Sequence, residues 1–305
     1  MEQGIDTPPK KITTISDAIN IAKSMRSFNS DKWWFRGQPD AEYKLVPSLF
    51  RPVNGRYYDE CKLIDEFIKV HPEARSQHIG TLELLTYAQH YGLPTRLLDW
   101  SENILVALYF ACREYEKVDG KLFLLPNYIE ELHFFDYYNF EFGKMVTEEL
   151  ISWRDPDDKS IENILESCLA KLDDNLKEFP LEQVNINETK LRDFLSQSNR
   201  HINKKISMSY DDIVYPGFMY DPKRINSRLV VQQGCFTCHT GKIFSNMTFV
   251  KPNDTFDKLS HSFIIPHDCK KSILKELEYC GIYEAKLFPE LEYQTKYIKT
   301  YSLYS

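Results

Sequence analysis

Hydrophobic periodicity predicts an amphipathic helix in the segment GTLELLTYAQHYG, residues 80–92. Gly92 and the nearby Pro94 are residue types that commonly end a helix, so residues 89–91 should lie at its C-terminus. The apolar residues recur at the spacing that places side chains on one helical face: Leu82, Leu85 and Ala88.

A second helix is predicted immediately after Ser101, which has the residue type of an N-cap. Between the two helices, residues 95–101 are predicted to form a polar loop, and rigidly held loops often carry binding or catalytic groups. Arg96 and Asp99 in this loop either contact a ligand or pair with each other. The second helix has an apolar face that should be buried against a sheet: Ile104, Leu105, Leu108, Ala111 and Cys112.

Several short stretches have the composition of strands, namely residues 33–38, 120–126, 228–241 and 262–266. A last helix is predicted from about Asp268 to a capping glycine, and strands and helices in this order indicate an α+β fold. That helix should end at Gly281 and bury Ile273, Leu274, Leu277 and Tyr279.

The section 127–212 is charged, aromatic and mostly helical in pattern, which is typical of an insertion into the fold. The chain is therefore divided into a first core part, 1–126, the helical insertion, and a second core part, 213–305. Four roles are open for the insertion: a lid over the cleft, a surface for a partner protein, a surface that binds the acceptor substrate, or a subdomain with a packing role alone. One helical face within it is formed by Ile161, Ile164, Leu165, Cys168, Leu169 and Leu172.

The composition is that of a soluble globular protein. The 305 residues are 42% hydrophobic, enough for one large core. No stretch approaches the roughly 18 apolar residues of a membrane span, and the first dozen residues have no apolar leader segment. Seven irregularly spaced cysteines favour a reducing compartment, so a cytoplasmic location is expected.

The formal net charge of −7 argues against a surface covered by nucleic acid. Two basic stretches remain, and the first, residues 199–205, is interpreted as a solvated face. The second stretch precedes the late strand and either is solvated or faces a cleft, where it would favour an RNA or DNA acceptor. It consists of Lys223, Arg224 and Arg228.

Cys235 and Cys238 form a lone C-x-x-C motif, followed by His239. In a strand, residues three apart point to opposite faces, and no second pair with zinc-ligand spacing follows. The motif is therefore interpreted as buried structure, and no metal is predicted.

Arg36 is the strongest candidate for binding chemistry. A guanidinium offers forked donors to an anion, and the adjacent Gly37 allows a backbone or a ligand to approach closely. A ligand that carries phosphate is the expected partner. The alternative is an internal ion pair between Arg36 and Asp99.

These motifs resemble the FRG domain family, named after the triplet that is Phe35, Arg36 and Gly37 in this chain. The second family block resembles the segment QHYGLPTRLLDW, residues 89–100, and the Q-x-G-x-F motif is matched by Gln232, Gly234 and Phe236. The LFPELE segment, residues 287–292, is similar to the family's closing motif.

A more distant resemblance is to toxin-type ADP-ribosyltransferases. It implies a split β-sheet core with flanking helices and NAD as the co-substrate. It also implies a glutamate on a late strand, where this chain has Gln232 and Gln233. The residues that would bind NAD are Arg36, Gly37, Gln38, Tyr91, Thr95, Arg96 and Ser101.

The charged catalytic role is left open by the missing glutamate. Besides Arg36 on the phosphates, Gln232 would orient a ribose or the acceptor. The groups that could supply the charge or the proton transfer are Asp99, His90, Glu290 and Glu292.

The resemblance implies an NAD-dependent ADP-ribosyltransferase toxin acting on RNA, DNA or protein. Anti-phage defence or a toxin–antitoxin system, with an inhibitory antitoxin-like partner, would be its setting, and no membrane is expected. One alternative is a non-catalytic nucleotide-sensing module. Another is a nuclease-like toxin in which His90, Arg36 and Arg96 act on a scissile phosphate.

Overall fold

The structure is a computed structural model. It describes residues 11–25, 32–126, 133–154, 163–164, 167–168, 171, 217–244, 249–250 and 255–303. Side chains of residues 133–141, 249–250 and 255 are outside this description.

Along the described chain, helices precede, separate and follow the strands. The helices are α1 (Ile15–Met25), α2 (Glu60–Val70), α3 (Glu73–Gln77), α4 (Thr81–His90), α5 (Ile104–Cys112), α6 (His133–Ser152), α7 (Ser227–Val231), α8 (Thr255–Leu259), α9 (Lys270–Tyr279), α10 (Glu284–Leu287) and α11 (Leu291–Tyr301). The strands are β1 (Trp33–Gln38), β2 (Leu97–Ser101), β3 (Gly120–Pro126), β4 (Phe218–Tyr220), β5 (Gly234–Cys238), β6 (Lys242–Ile243), β7 (Phe249–Val250) and β8 (His261–Ile265).

Six of these strands form one antiparallel sheet in the order β4-β5-β2-β1-β3-β8. The predicted α+β class is therefore confirmed. Strands that precede and strands that follow residues 127–212 both contribute to this sheet. The predicted domain boundaries stay a prediction. In the register, Phe35 of β1 lies opposite Ser101, and Ser101 lies opposite Gly234 of β5. Neighbouring strands thus bring the Arg-Gly motif, the second block and the late strand side by side.

Helix α5 packs unusually close to β1 because Gly37 has no side chain. A Cβ atom at Gly37 would lie 1.8 Å from the carbonyl oxygen of Ala107 and 2.6 Å from the backbone nitrogen of Ala111. Gly120 on β3 makes a similar approach, with its Cβ position 2.6 Å from the Ala111 oxygen. The predicted burial of α5 against a sheet is confirmed. Of the two partners predicted for Gly37, a backbone or a ligand, the backbone of α5 is the one that approaches it.

The prediction of a loop at residues 95–101 is wrong, because residues 97–101 form β2, which pairs with both β1 and β5. Leu97, Leu98 and Trp100 are buried, so the segment lacks the alternation that marks a half-buried strand. Ser101 is not the N-cap of α5. That position is held by Asn103, whose side chain accepts a hydrogen bond from the Leu105 N–H.

The predicted strand at 228–241 is also partly wrong. Residues 227–231 form the short helix α7, and the strand begins only at Gly234. Gln232 caps that helix, and Gln233 has a positive φ of 47°. Two local signals explain the difference: the Asn226 side chain caps α7, and Gln233 adopts the left-handed conformation between helix and strand.

The last predicted helix is confirmed as α9, with Gly281 just beyond it at φ 74°. Ile273 and Leu277 are buried, but the prediction that Tyr279 packs in the core is wrong, since it is 92% exposed. Within the predicted insertion, Phe142, Val146 and Leu150 on α6 are buried. The helical face predicted at 161–172 lies mostly outside the described residues. Two of its members, Ile164 and Cys168, are described, and both are buried.

Cys235 and Cys238 enter separate hydrophobic clusters, as strand alternation predicts. Cys235 packs with Trp34 and Trp100, whereas Cys238 packs with Leu97. In the described part of the chain, no group of three His, Cys, Asp or Glu side chains could hold a metal ion. No helix among the described residues is long and apolar enough to cross a membrane.

Candidate functional site

A cavity of about 310 Å³ opens between β1, β2, α5 and the start of α7. This volume is at the lower end of the range for small-molecule sites, so a dinucleotide would extend beyond it. The lining residues are Phe35, Arg36, Gly37, Pro39, Asp99, Trp100, Ser101, Val106, Ala107, Phe110, Arg113, Glu114, Arg228 and Gln232.

The cavity is electropositive although the whole chain is acidic. Three arginines and two carboxylates contribute to its wall, whereas the formal charge of the chain is −7. A concave surface with a positive excess concentrates anions. The cavity is therefore suited to an anionic ligand with an apolar part that can contact Phe110 and Val106.

Arg36 belongs to this wall, and its side chain is 16% exposed. Its Nη1 donates to the backbone oxygen of Asp99 and lies 4.0 Å from the Asp99 Oδ2. The buried Nε has no hydrogen-bond partner among the described residues. Burial lowers the Arg36 pKa to about 10; Asp99 opposes this shift and Arg51 adds to it. The ion pair with Asp99 is thus long, and Arg36 retains donor capacity for an anion.

Asp99 is held in place by a hydrogen bond from Gln89 of α4, which is itself bonded to Thr95. Its side chain is 68% exposed, and its Oδ1 accepts a 2.8 Å hydrogen bond from the Gln89 Nε2. The Thr95 hydroxyl donates to the Oε1 of the same Gln89, which fixes the orientation of the amide. Thr95 itself is buried and does not line the cavity. Its contribution is to orient Gln89 and, through it, the Asp99 carboxylate.

Ser101 and Gln232 line the cavity, and both of their side chains also form hydrogen bonds within the protein. The Ser101 hydroxyl donates to the Gln232 carbonyl at 2.7 Å and accepts from the Asn103 N–H at 3.0 Å. The Gln232 Nε2 donates to the Leu287 carbonyl at 3.0 Å. These bonds tie β2, α7 and the C-terminal segment together at one end of the cavity.

Arg113 and Arg228 form a second basic group on the cavity wall. Their Cζ atoms lie 4.9 and 4.5 Å from the centre of the Phe288 ring. Sequence analysis placed Arg228 in a basic stretch, whereas Arg113 gave no signal. Lys223 and Arg224 of the same stretch are outside the cavity wall and pair with Glu83 and Glu102, respectively.

Arg96 does not pair with Asp99, so that one of the two alternatives for Arg96 is wrong. Its fully buried guanidinium forms two hydrogen bonds with the Glu60 carboxylate, at 2.8 and 2.5 Å. It also donates to the carbonyls of His239 and Gly241. Burial lowers the Arg96 pKa, but the charge and hydrogen bonds of Glu60 outweigh it and the pKa is raised. Arg96 therefore points into the protein, away from the cavity.

Gln38 is also placed in the interior. Its Nε2 donates to the Lys44 carbonyl at 3.2 Å, and its buried Oε1 has no partner in the described residues. It is absent from the cavity wall, although its neighbours Arg36 and Gly37 belong to it.

His90, Tyr91 and Glu290 are not part of the cavity wall, although the charges of Arg228 and Glu290 both act on His90. The His90 ring contacts the exposed Tyr91 ring, with 5.0 Å between their centres. Glu290 has one buried oxygen with no hydrogen-bond partner among the described residues, and Glu292 is exposed on α11. Partial burial lowers the His90 pKa, Arg228 lowers it further, and Glu290 opposes the shift. These surroundings therefore favour the neutral form of the imidazole.

Opposite changes in the His90 pKa are expected when its two charged neighbours are removed. Arg228→Gln should raise the pKa, because it deletes a nearby positive charge, and Glu290→Gln should lower it further. NMR titration of the imidazole resonance measures both. Shifts of the same sign, or none in either variant, would contradict the arrangement.

The comparison with protein families gives one match. Residues 31–120 match the FRG domain, a segment that runs from just before β1 to the first residue of β3. It includes Arg36, Asp99 and Arg113, whereas Arg228 and Gln232 lie beyond it. Neither the curated proteins nor the solved structures contain a significant match to this chain. The family match supports the FRG family for residues 31–120 of this protein.

Proposed function

We propose that this protein is an NAD-dependent ADP-ribosyltransferase toxin that transfers ADP-ribose to a macromolecule, either nucleic acid or protein. The observation that carries the proposal is Arg36, a cavity arginine beside the Asp99 carboxylate whose buried Nε has no partner in the part of the chain that the structure describes. Bacterial defence or a toxin–antitoxin system, with an inhibitory partner, belongs to the same proposal.

The sheet order supports the comparison with ADP-ribosyltransferases. That resemblance requires an Arg-Gly strand, a polar strand followed by an apolar helix, and a late strand around one site. Here β1 neighbours β2, β2 neighbours β5, and α5 follows β2 directly. The three strands therefore lie side by side, with the cavity at their edge.

Three polar residues of the cavity wall have roles in the proposed reaction. Arg36 binds the NAD phosphates through forked, charge-assisted hydrogen bonds. Cleavage of the bond to nicotinamide develops positive charge on the ribose, which a fixed carboxylate stabilises. Asp99 provides that carboxylate, because it is the acidic group of β2 and is oriented by Gln89. Gln232, whose Nε2 is engaged, offers its Oε1 to a ribose hydroxyl.

The test is nicotinamide release from NAD, together with mass spectrometry of protein, RNA and DNA acceptors. We expect Arg36→Gln and Asp99→Asn each to reduce nicotinamide release by about a hundredfold, since each removes a charge aimed at the reacting ligand. Arg56→Gln is the matched control, because Arg56 is exposed and outside the cavity wall. Circular dichroism checks that each variant is folded. Full activity in both cavity variants would refute the proposal.

A non-catalytic nucleotide sensor is the second candidate function. It is favoured by the position of Gln232 and Gln233 where the transferases have a glutamate, since an amide carries no charge to stabilise the transition state. The sensor would bind NAD or ADP-ribose with Arg36 and release no nicotinamide with any acceptor. The nuclease-like alternative loses support, because Arg96 is buried against Glu60, away from Arg36 and the cavity.

A further inference from the structure

We infer that Arg113 and Arg228 form a second anion subsite in the cavity, which binds a second phosphoryl group of the ligand held by Arg36. The ligand class is a nucleoside diphosphate or a dinucleotide with a pyrophosphate bridge. This inference deepens the proposed function and rests on it for the nucleotide character of the ligand.

Phe288 holds both arginines in position. Its ring is buried, stacks on Tyr293 at 4.7 Å and contacts Phe110 edge-on at 6.0 Å. Arg113 and Arg228 both lie over this fixed ring. Stacking restrains a guanidinium through its flat face and leaves the N–H groups at its edge available. Contact with the ring thus orders the two arginines without requiring their hydrogen-bond donors.

The charge of this pair is only partly compensated. Arg113 lies 3.3 Å from Glu114 and 3.9 Å from Glu284, and both pairs are partly exposed and therefore weak. Within the part of the chain that the structure describes, Arg228 forms no ion pair. A partly buried guanidinium with unused donors in a cavity wall is suited to an anion.

The position of the pair distinguishes it from Arg36. Arg36 is on β1, Arg228 precedes β5, and β2 lies between these strands. Strands β1 and β5 are therefore two strand spacings, roughly 10 Å, apart, and Arg228 lies in the short helix that leads into β5. Long side chains can converge from that distance on linked phosphoryl groups more readily than on a single phosphate. The cavity should therefore prefer diphosphates to monophosphates.

Isothermal titration calorimetry with ADP-ribose, ADP and AMP tests this subsite. The unmodified protein should bind ADP and ADP-ribose more tightly than AMP. Arg228→Gln and Arg113→Gln should each weaken diphosphate binding by about tenfold or more, as expected for loss of a charge-assisted hydrogen bond. AMP binding should change by much less. Arg36→Gln should weaken binding of all three ligands.

Lys223→Gln is the matched control, since it removes one positive charge from an exposed side chain outside the cavity wall, in the same basic stretch as Arg228. It should leave all affinities unchanged. Arg228→Lys provides a second variant that keeps the charge but loses the planar fork, and it should restore only part of the diphosphate preference.

The outcomes separate this inference from the proposed function. Equal affinity for AMP and ADP, or unchanged affinity in Arg113→Gln and Arg228→Gln, overturns the second subsite and leaves the transferase proposal standing. Diphosphate preference that depends on Arg228, without nicotinamide release, supports the subsite and overturns the transferase. Failure of ADP and ADP-ribose to bind overturns the second subsite, whereas the transferase proposal is decided separately by nicotinamide release from NAD.

Discussion

Gly37→Ala should destabilise the protein by about 3 kcal/mol or more, a large part of the stability of a typical domain. The added methyl group would lie 1.8 Å from the Ala107 carbonyl oxygen and 2.6 Å from the Ala111 nitrogen. Both are backbone atoms of α5, so no rotamer change relieves the overlap. The helix must move away from β1, which also displaces Ala107 and Phe110 in the cavity wall. Urea-induced unfolding measures the loss.

Gly80→Ala is the matched control for the same chemical change. Gly80 precedes α4 with a φ of −75°, and a Cβ atom there would meet nothing closer than 3.8 Å. Its unfolding free energy should differ from that of the unmodified protein by about 1 kcal/mol at most, the usual range for a cap position. If both variants unfold alike, the close approach of α5 to β1 is incorrect.

Glu60→Ala should cost about 3–5 kcal/mol of unfolding free energy, because it leaves the Arg96 charge buried without its partner. The Arg96 side chain has no exposed surface, and Glu60 satisfies both its Nε and one terminal nitrogen. The remaining bonds to two backbone carbonyls compensate a charge poorly. Chemical denaturation provides the measurement. Nucleotide affinity of the folded fraction should be retained, since the pair lies outside the cavity wall.

Asp65→Ala is the control on the same helix. Asp65 pairs with Arg154 at 2.9 Å, but both side chains are largely exposed. Its loss should change the unfolding free energy by about 1 kcal/mol or less. Replacing both Glu60 and Arg96 by leucine and methionine should recover much of the stability lost in Glu60→Ala, because no unpaired charge then remains. A Glu60→Ala protein as stable as Asp65→Ala would contradict the buried pair.

The Arg-Gly motif therefore combines two separate tasks in adjacent residues. Gly37 allows the close contact with α5, and Arg36 presents a guanidinium to the cavity beside that contact. A change at Gly37 should reduce stability and ligand binding together, whereas a change at Arg36 should act mainly on binding. The two sets of variants thus distinguish loss of the site through unfolding from loss of the site through chemistry.

Local patterns in the sequence were sufficient for the helices α4, α5 and α9 and for the strands β1, β3 and β8. Their signals are short-range: helical periodicity, a glycine just beyond the helix end, and runs of aromatic and aliphatic residues. Arg36 was identified in the same way, from the residue type and its neighbours. These features depend on residues close in sequence, so no distant contact had to be known.

Only the tertiary structure decided the features that depend on distant residues. The segment 97–101 is a strand because β1 and β5 supply its hydrogen-bonding partners. Arg96 lies in the interior because Glu60, on α2, meets its charge there. Arg113 and Arg228 come together only where the folded chain places both over the Phe288 ring. Sheet pairing, burial of charge and convergence on a cavity are properties of the folded chain, and no local sequence pattern contains them.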